Sequence, residues 1–372
     1  CTTPLGIGVV GMDTDDNFIN SGLIEITTAE FIPFPQNRLK GGIEISGTVT
    51  NSETGTINIS KCDGKCIFNS PVFGNSEAGS FVNRGLINVS HIANDDGIEN
   101  WTNFENHGVI ILGDSIGGSG VNNQRNFLNE STINISATGW NWRTDYFGFA
   151  GGGASEAGIN NGTFFNQNEV LFENHGEITV DNDANTNGIR NSGGAIFTNY
   201  NDGSILVSDL RGNNNSSGIF NSNSEFLNDG NIEIQNRGTS IRGVRNEYSG
   251  TIDTLVALFI NRNLISVSGG NGPRLSNSGT NADFLNEGEI RLLKGAAGFG
   301  EGIFNLNQAL FTTTGTIDAY GVTNYTLNTT FINQGLLKAS ARILNQSEFR
   351  NEAGGRIELD DREENIPVSY TH

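Results

Sequence analysis

Long apolar runs are missing from this sequence. No stretch of 18 or more apolar residues occurs, and "LVALFI" at Leu255–Ile260 is far too short, so no transmembrane helix is expected. No signal peptide is visible either, and a mature chain would have lost one. Histidine is scarce, with four in 372 residues, which leaves a nucleophile–histidine triad without a context. There are three cysteines. Cys62 and Cys66 of "KCDGKC" have no second Cys pair and no nearby His to complete the four ligands of a structural metal. They suit a disulfide closing that small turn in an oxidising compartment, with two free thiols as the alternative. Charged residues are only 17 % and hydrophobic ones only 35 %. Low hydrophobicity can signal disorder, but disordered segments are usually charge-rich and aromatic-poor, and this chain has 23 Phe. No cofactor is expected.

The charge that is present is one-sided: 41 Asp and Glu against 21 Lys and Arg, a net −20. Such a surface repels nucleic-acid phosphates and anionic membranes. It suits an extracellular protein, whether the acid serves solubility or cations. Calcium is weighed at three acidic turns. "DANTNG" (Asp183–Gly188) opens like a calcium loop, but the twelfth position falls on Gly194 rather than Glu. "DTDD" (Asp13–Asp16) and "NDDG" (Asn94–Gly97) are the others.

What is abundant is repetition. One unit reads F-x-N-x-G-x-I-x-[IVL], as in "FINSGLIEI" (Phe18–Ile26), "FVNRGLINV" (Phe81–Val89), "FLNDGNIEI" (Phe226–Ile234) and "FLNEGEIRL" (Phe284–Leu292). A second unit, G-[IV]-x-N, precedes many copies, at Gly97–Asn100, Gly120–Asn123, Gly158–Asn161, Gly188–Asn191, Gly218–Asn221, Gly243–Asn246, Gly302–Asn305 and Gly321–Asn324. The combined period is roughly 18–33 residues, and from Phe81 to Phe104 to Phe127 the step is 23 each time. Apolar residues alternate with polar ones, which is strand spacing, and no useful length shows helical spacing.

The expected fold is therefore all-β: a right-handed parallel β-helix, a solenoid of about 13 coils of three short strands each, stacked at about 4.8 Å into a rod of about 60 Å. The handedness is an implication of the resemblance given below. Phe and Ile should form apolar ladders, stacked Asn should hydrogen-bond one another, and Gly should supply positive φ where the chain bends. The expected organisation is an N-terminal segment (1–16), one β-helix domain (17–360) with loop insertions at 28–41 and 137–157, and a C-terminal tail (361–372).

The units "FINQGLLKA" (Phe331–Ala339) and "FLNEGEIRL" resemble the apolar-x-Asn-x-Gly-x-Ile-x-apolar repeat of filamentous haemagglutinin-type adhesins and related bacterial surface proteins. The resemblance covers about Asn17 to Leu359. It implies a secreted or surface-anchored, non-enzymatic protein acting as an adhesin or fibre subunit. Its partner would be a glycan or a protein of a host or other cell surface, or further copies of itself in a filament. Cys1 is compatible with a lipid-anchored N-terminus. The competing class is a polysaccharide lyase or glycoside hydrolase on the same fold, which needs carboxylates converging in a groove.

Breaks in a repeat are where binding function concentrates. The largest, "ATGWNWRTDYFGFAGGGASEA" (Ala137–Ala157), makes Trp140, Trp142, Arg143, Tyr146 and Phe147 the candidate ligand-binding residues. The alternative is a loop folded back over an apolar strip. The pentapeptide FENHG occurs twice, giving Glu105 with His107 and Glu173 with His175. These fall on variable positions of the repeat. Stacking should place Glu105 beside Val82 and Leu128, and His107 beside Arg84 and Glu130, so a catalytic pair is not inferred and no catalytic residue is nominated.

Overall fold

The computed structural model describes residues 17–27, 42–45, 47–60, 65–69, 79–92, 95–136, 157–162, 170–181, 187–210, 216–236, 241–250, 255–269, 272–293 and 302–360. All pairing among them is parallel, no helix occurs among them, and the result is a β-solenoid. The alternation seen in the sequence becomes alternation of burial. In Asn103–Asn106, Phe104 and Asn106 are buried while Asn103 and Glu105 look outward. In Thr56–Ser60, Ile57 and Ile59 point inward. Each repeat unit forms one face. The F-x-N segments make a 13-stranded parallel sheet, and the register pairs Phe81, Phe104, Phe127 and Phe172 in one column. The G-x-I-x-I and G-I-x-N segments make the other two ladders. Near the C-terminal end these two merge, because the ten-residue strands Thr316–Tyr325 and Leu336–Asn345 run through the corner without a loop.

Three columns of side chains fill the interior. Phenylalanine rings stack from Phe81 to Phe349 at centroid spacings of 4.7–5.1 Å and nearly parallel planes. This is the coil spacing itself, close to the 4.8 Å of paired strands. Ile and Val fill the other two faces. The third component is polar. Two ladders of fully buried Asn run beside the apolar columns. In one, Asn83 Nδ2 donates to Asn106 Oδ1 and Asn106 Nδ2 to Asn129 Oδ1, each at 2.8 Å. In the other, Asn161 Nδ2 donates to Asn191 Oδ1, which continues to Asn221, again at 2.8 Å. Most of these carboxamides also donate to a main-chain carbonyl of the next coil, as Asn191 does to Glu225 O at 2.8 Å. A buried polar group is tolerated when its partners are present, and here the next coil supplies them.

The glycines of the F-x-N-x-G unit correct the expectation of positive φ. A Cβ on Gly108 would sit 2.2 Å from Gly85 O, and one on Gly85 would sit 2.1 Å from Gly55 O, yet neither has a left-handed backbone. Glycine is required there because the chain passes hard against the carbonyl of the preceding coil. The repeated Asn residues among those described are not left-handed either; the left-handed Asn residues among the described residues are Asn223, Asn307 and Asn328. The G-I-x-N ladder also extends beyond its sequence motif. Ile43–Ile45, Ile67–Asn69, Leu275–Ser278 and the end of Leu336–Asn345 belong to it, with Cys66, Arg274 or Arg342 where other coils carry Gly.

Coil length varies through what is inserted between strands. Asn333 and Asn351 are 18 residues apart in a coil with almost no excursion, whereas Asn129 and Asn174 are 45 apart and still make a 2.8 Å bond. The ladders thus keep register whether neighbouring rungs are 18 or 45 residues apart.

Candidate functional site

Two places among the described residues gather polar groups outside the ladders. The first lies on the G-I-x-N face near the N-terminal end. Asp95, Asp96 and Glu99 bring carboxylate oxygens within 4.8 Å of one another. Asp95 and Asp96 belong to the acidic turn "NDDG"; Asn94 lies outside the described residues. Asp96 is buried, and that burial pushes its carboxyl up to about 7. Two hydrogen bonds pull the other way: Ser119 N–H donates to Oδ1 and Asn122 Nδ2 to Oδ2, each at 2.7 Å. Glu99 is raised by burial and partly offset by Lys65, its ion-pair partner. Trp101 Nε1 donates to Glu99 Oε1 at 2.7 Å. Lys65 Nζ lies 4.2 Å from the centre of the Phe68 ring, which meets Trp101 edge-on at 5.7 Å. Both oxygens of Asp96 are therefore engaged in tying one coil to the next, and a cation at this cluster would compete with Lys65 for Glu99.

The second place is a polar valley along the corner from the G-I-x-N face to the F-x-N face. A pocket of about 260 Å³ is lined by Asn160, Arg190, Ser192, Gly193, Ser222 and Ser249, among others. It adjoins an open groove of about 510 Å³ that shares Ser249 and continues past Tyr248, Ser278, Thr280, Gln308 and Thr326. The corner is rich in left-handed backbone: Gly193 (φ 72°), Asn223 (52°), Gly279 (114°), Asn307 (56°), Gln308 (68°) and Thr326 (81°) are half of the positive-φ positions among the described residues. Positive φ at the β-branched Thr326 is a strained conformation. It is held by Asn307 N–H donating to Thr326 Oγ1 at 2.7 Å and by a 3.0 Å contact between Thr326 Oγ1 and Thr329 Oγ1. The floor of the face is the x column of G-I-x-N, where Asn160, Arg190, Phe220 and Arg245 are in register. Arg245 stacks on the Phe220 ring at 4.6 Å and is ion-paired with Glu247.

The nominated residues fare differently. Trp140, Trp142, Arg143, Tyr146 and Phe147 lie outside the described residues, as do Asp13–Asp16 and Asp183. Cys66 is buried and disulfide-bonded; Cys62 lies outside the described residues. Of the "DANTNG" segment, Asn187 and Gly188 are described, at the start of the strand Asn187–Ser192. The two FENHG copies take up different contacts. His107 reaches Glu130 at 2.6 Å and Glu105 at 3.2 Å. His175 instead meets Asp202 at 3.0 Å and stacks on Tyr200 at 4.0 Å, while Tyr200 OH donates to Glu173 at 2.8 Å. That last bond raises the Tyr200 phenol above its ordinary range. Glu105 pairs in register with Val82 and Leu128 as expected. The outward aliphatic residues of the F-x-N face are mostly half-buried, with Ile19 exposed.

Sequence reasoning passed over Arg190, Phe220 and Arg245. They stand at the x of G-[IV]-x-N, a column readable from the motif once its copies are aligned. No protein-family model matches the chain, nor does any curated protein or solved structure.

Proposed function

We propose that this chain is the rigid rod of an extracellular, non-enzymatic adhesin or surface fibre, carrying binding loops and grooves away from the cell. The observation that carries the reading is the unbroken Phe stack from Phe81 to Phe349, flanked by the Asn ladders. Such a column gives a continuous, stiff core whose register does not depend on the loops, which suits presentation. The acidic surface fits an extracellular setting, and the partners are glycans or proteins of another surface, or further copies of the chain in a filament. Beads coated with the chain are expected to attach under flow to glycan-coated or cell surfaces far better than bare beads; equal attachment would overturn the reading.

The competing reading, a polysaccharide lyase or glycoside hydrolase, draws on one observation. Asp96, pushed up to about 7, stands among other carboxylates, the kind of tuning a general acid needs. Against it, both Asp96 oxygens accept hydrogen bonds from the neighbouring coil. Release of reducing ends or unsaturated uronates from a panel of polysaccharides by the purified chain would establish the enzyme.

A further inference from the structure

In a chain with 41 acidic and 21 basic residues, a carboxylate is available to most cations. Five of the eleven described arginines are ion-paired: Arg245 with Glu247, Arg262 with Asp229 and Glu287, Arg291 with Glu289, Arg350 with Glu348 and Arg356 with Glu358. Arg190 has no such partner among the described residues. It is half-buried in the floor of the smaller pocket, and its Nε is fully shielded from solvent with no acceptor. Beside it in register, Asn160 is 5 % exposed, and its buried Oδ1 accepts no hydrogen bond while its Nδ2 donates to Asn122. The pocket is therefore lined by Arg190, whose guanidinium makes no ion pair among the described residues, and by Ser192, Ser222 and Ser249, while the shielded Arg190 Nε and Asn160 Oδ1 lie beneath its surface. A guanidinium of this kind takes an oxyanion through two parallel hydrogen bonds.

The adjoining groove has a different chemistry. Its polar lining is neutral, from Ser278, Thr280, Asn307, Gln308 and the Tyr248 side chain, apart from Glu247, which is held by Arg245. Hydroxyls and amides along a strip of successive coils match the hydroxyls of a linear sugar chain. The whole-molecule charge works against any polyanion, although its reach is limited to about 8 Å at physiological salt. We infer that the valley binds a largely neutral glycan carrying an isolated acidic sugar, whose carboxylate sits on Arg190 and whose neutral sugars run along the groove toward Thr326. This rests on the adhesive reading and supplies the ligand class it leaves open.

The test uses the full chain and calorimetric titration with two probes: sialyllactose, and an oligosaccharide with one glucuronate among neutral hexoses. Each is compared with its carboxyl-reduced form. At least one acid form is expected to bind, with at least tenfold weaker binding of the reduced form, and the preferred acid identifies the sugar. Arg190→Gln is expected to weaken the acid form at least tenfold and to bring it level with the reduced form. Ser249→Glu, at an exposed position on the rim, is expected to weaken the acid form several-fold more than the reduced form. Arg356→Gln, remote and exposed, is expected to change nothing. The inference is overturned if neither acid form binds, if acid and reduced forms bind alike, or if Arg190→Gln binds as the wild type does. Coated beads separate the two readings. Arg190→Gln beads that attach as well as wild-type beads overturn this site and leave the adhesive rod standing, whereas wild-type beads that do not attach remove the rod reading itself.

Discussion

Single side chains carry much of the specificity of this fold, and the Asn ladder shows how. It is interrupted once in the F-x-N column, where Thr313 replaces Asn. Asn286 Nδ2 still finds Thr313 Oγ1 at 3.0 Å, but Asn333 Oδ1 is left buried without a donor. Thr313→Asn restores the missing donor and is expected to raise stability by about 1 kcal/mol, the ordinary net worth of a hydrogen bond that also satisfies a buried group; a higher denaturant midpoint at unchanged slope checks it. Asp96 gives a second residue-scale expectation, with its sign fixed by the direction of its shift. Its carboxyl is held at about 7 in the folded chain against 3.8 in the ordinary state. The stability it contributes is therefore full below about pH 4 and is lost as pH rises through 7. Unfolding midpoints of the wild type and Asp96→Asn, measured from pH 5 to 8, should converge toward the alkaline end or cross, with the wild type losing more. Parallel curves would show that Asp96 does not titrate there.

At the scale of the strand, each element is a rung that touches only its counterparts above and below. Phe197 lies between Phe172 and Phe226, at 4.7 and 4.8 Å. Phe349, at the last described rung, stacks on Phe331 alone, at 5.1 Å, and is only partly buried. Phe197→Ala should cost about 3–5 kcal/mol, as for other buried aromatics, and Phe349→Ala about 1 kcal/mol, because solvent already reaches it. Thermal melts of the two variants check this, and equal losses would contradict a stack that is strongest in its middle. The strands, their parallel stacking and the Asn bonding were legible in the sequence, because alternation with Phe, Ile and Asn at fixed offsets has one parallel solution. The reason for the glycines was not. Whether Gly answers to φ or to a carbonyl of the preceding coil depends on coil-to-coil distance, which the sequence does not state. The four further rungs of the G-I-x-N ladder were hidden because Gly42–Ile45 lacks the terminal Asn and the other three lack Gly. The valley was hidden because the sequence does not state that Arg190 lines a pocket or that its Nε has no acceptor.

For the whole molecule, the same repetition makes loops and rod independent. Coils of 18 and 45 residues share one ladder, so excursions can lengthen without disturbing the core. In stacked repeats of this kind stability is close to a sum over neighbouring interfaces. The molecule also has a direction. Asn20 donates to Asn51, Asn51 to Asn83, and the same sense runs in both ladders to Asn345 and Asn351, with the one break at Thr313. The sense is fixed because most of these Nδ2 atoms also reach a main-chain carbonyl of the following coil, as Asn51 does Leu86 O and Asn324 does Glu348 O, a bond only the amide hydrogen side can make. Backbone dipoles of a sheet largely cancel, but these carboxamides all point one way and polarise one another. The rod is consequently an electret: its interior carries two lines of aligned dipoles, partially positive toward the C-terminal coils and partially negative toward the N-terminal ones. Neighbouring rods lying side by side are drawn to opposite orientations, and rods meeting end to end are drawn to the same one.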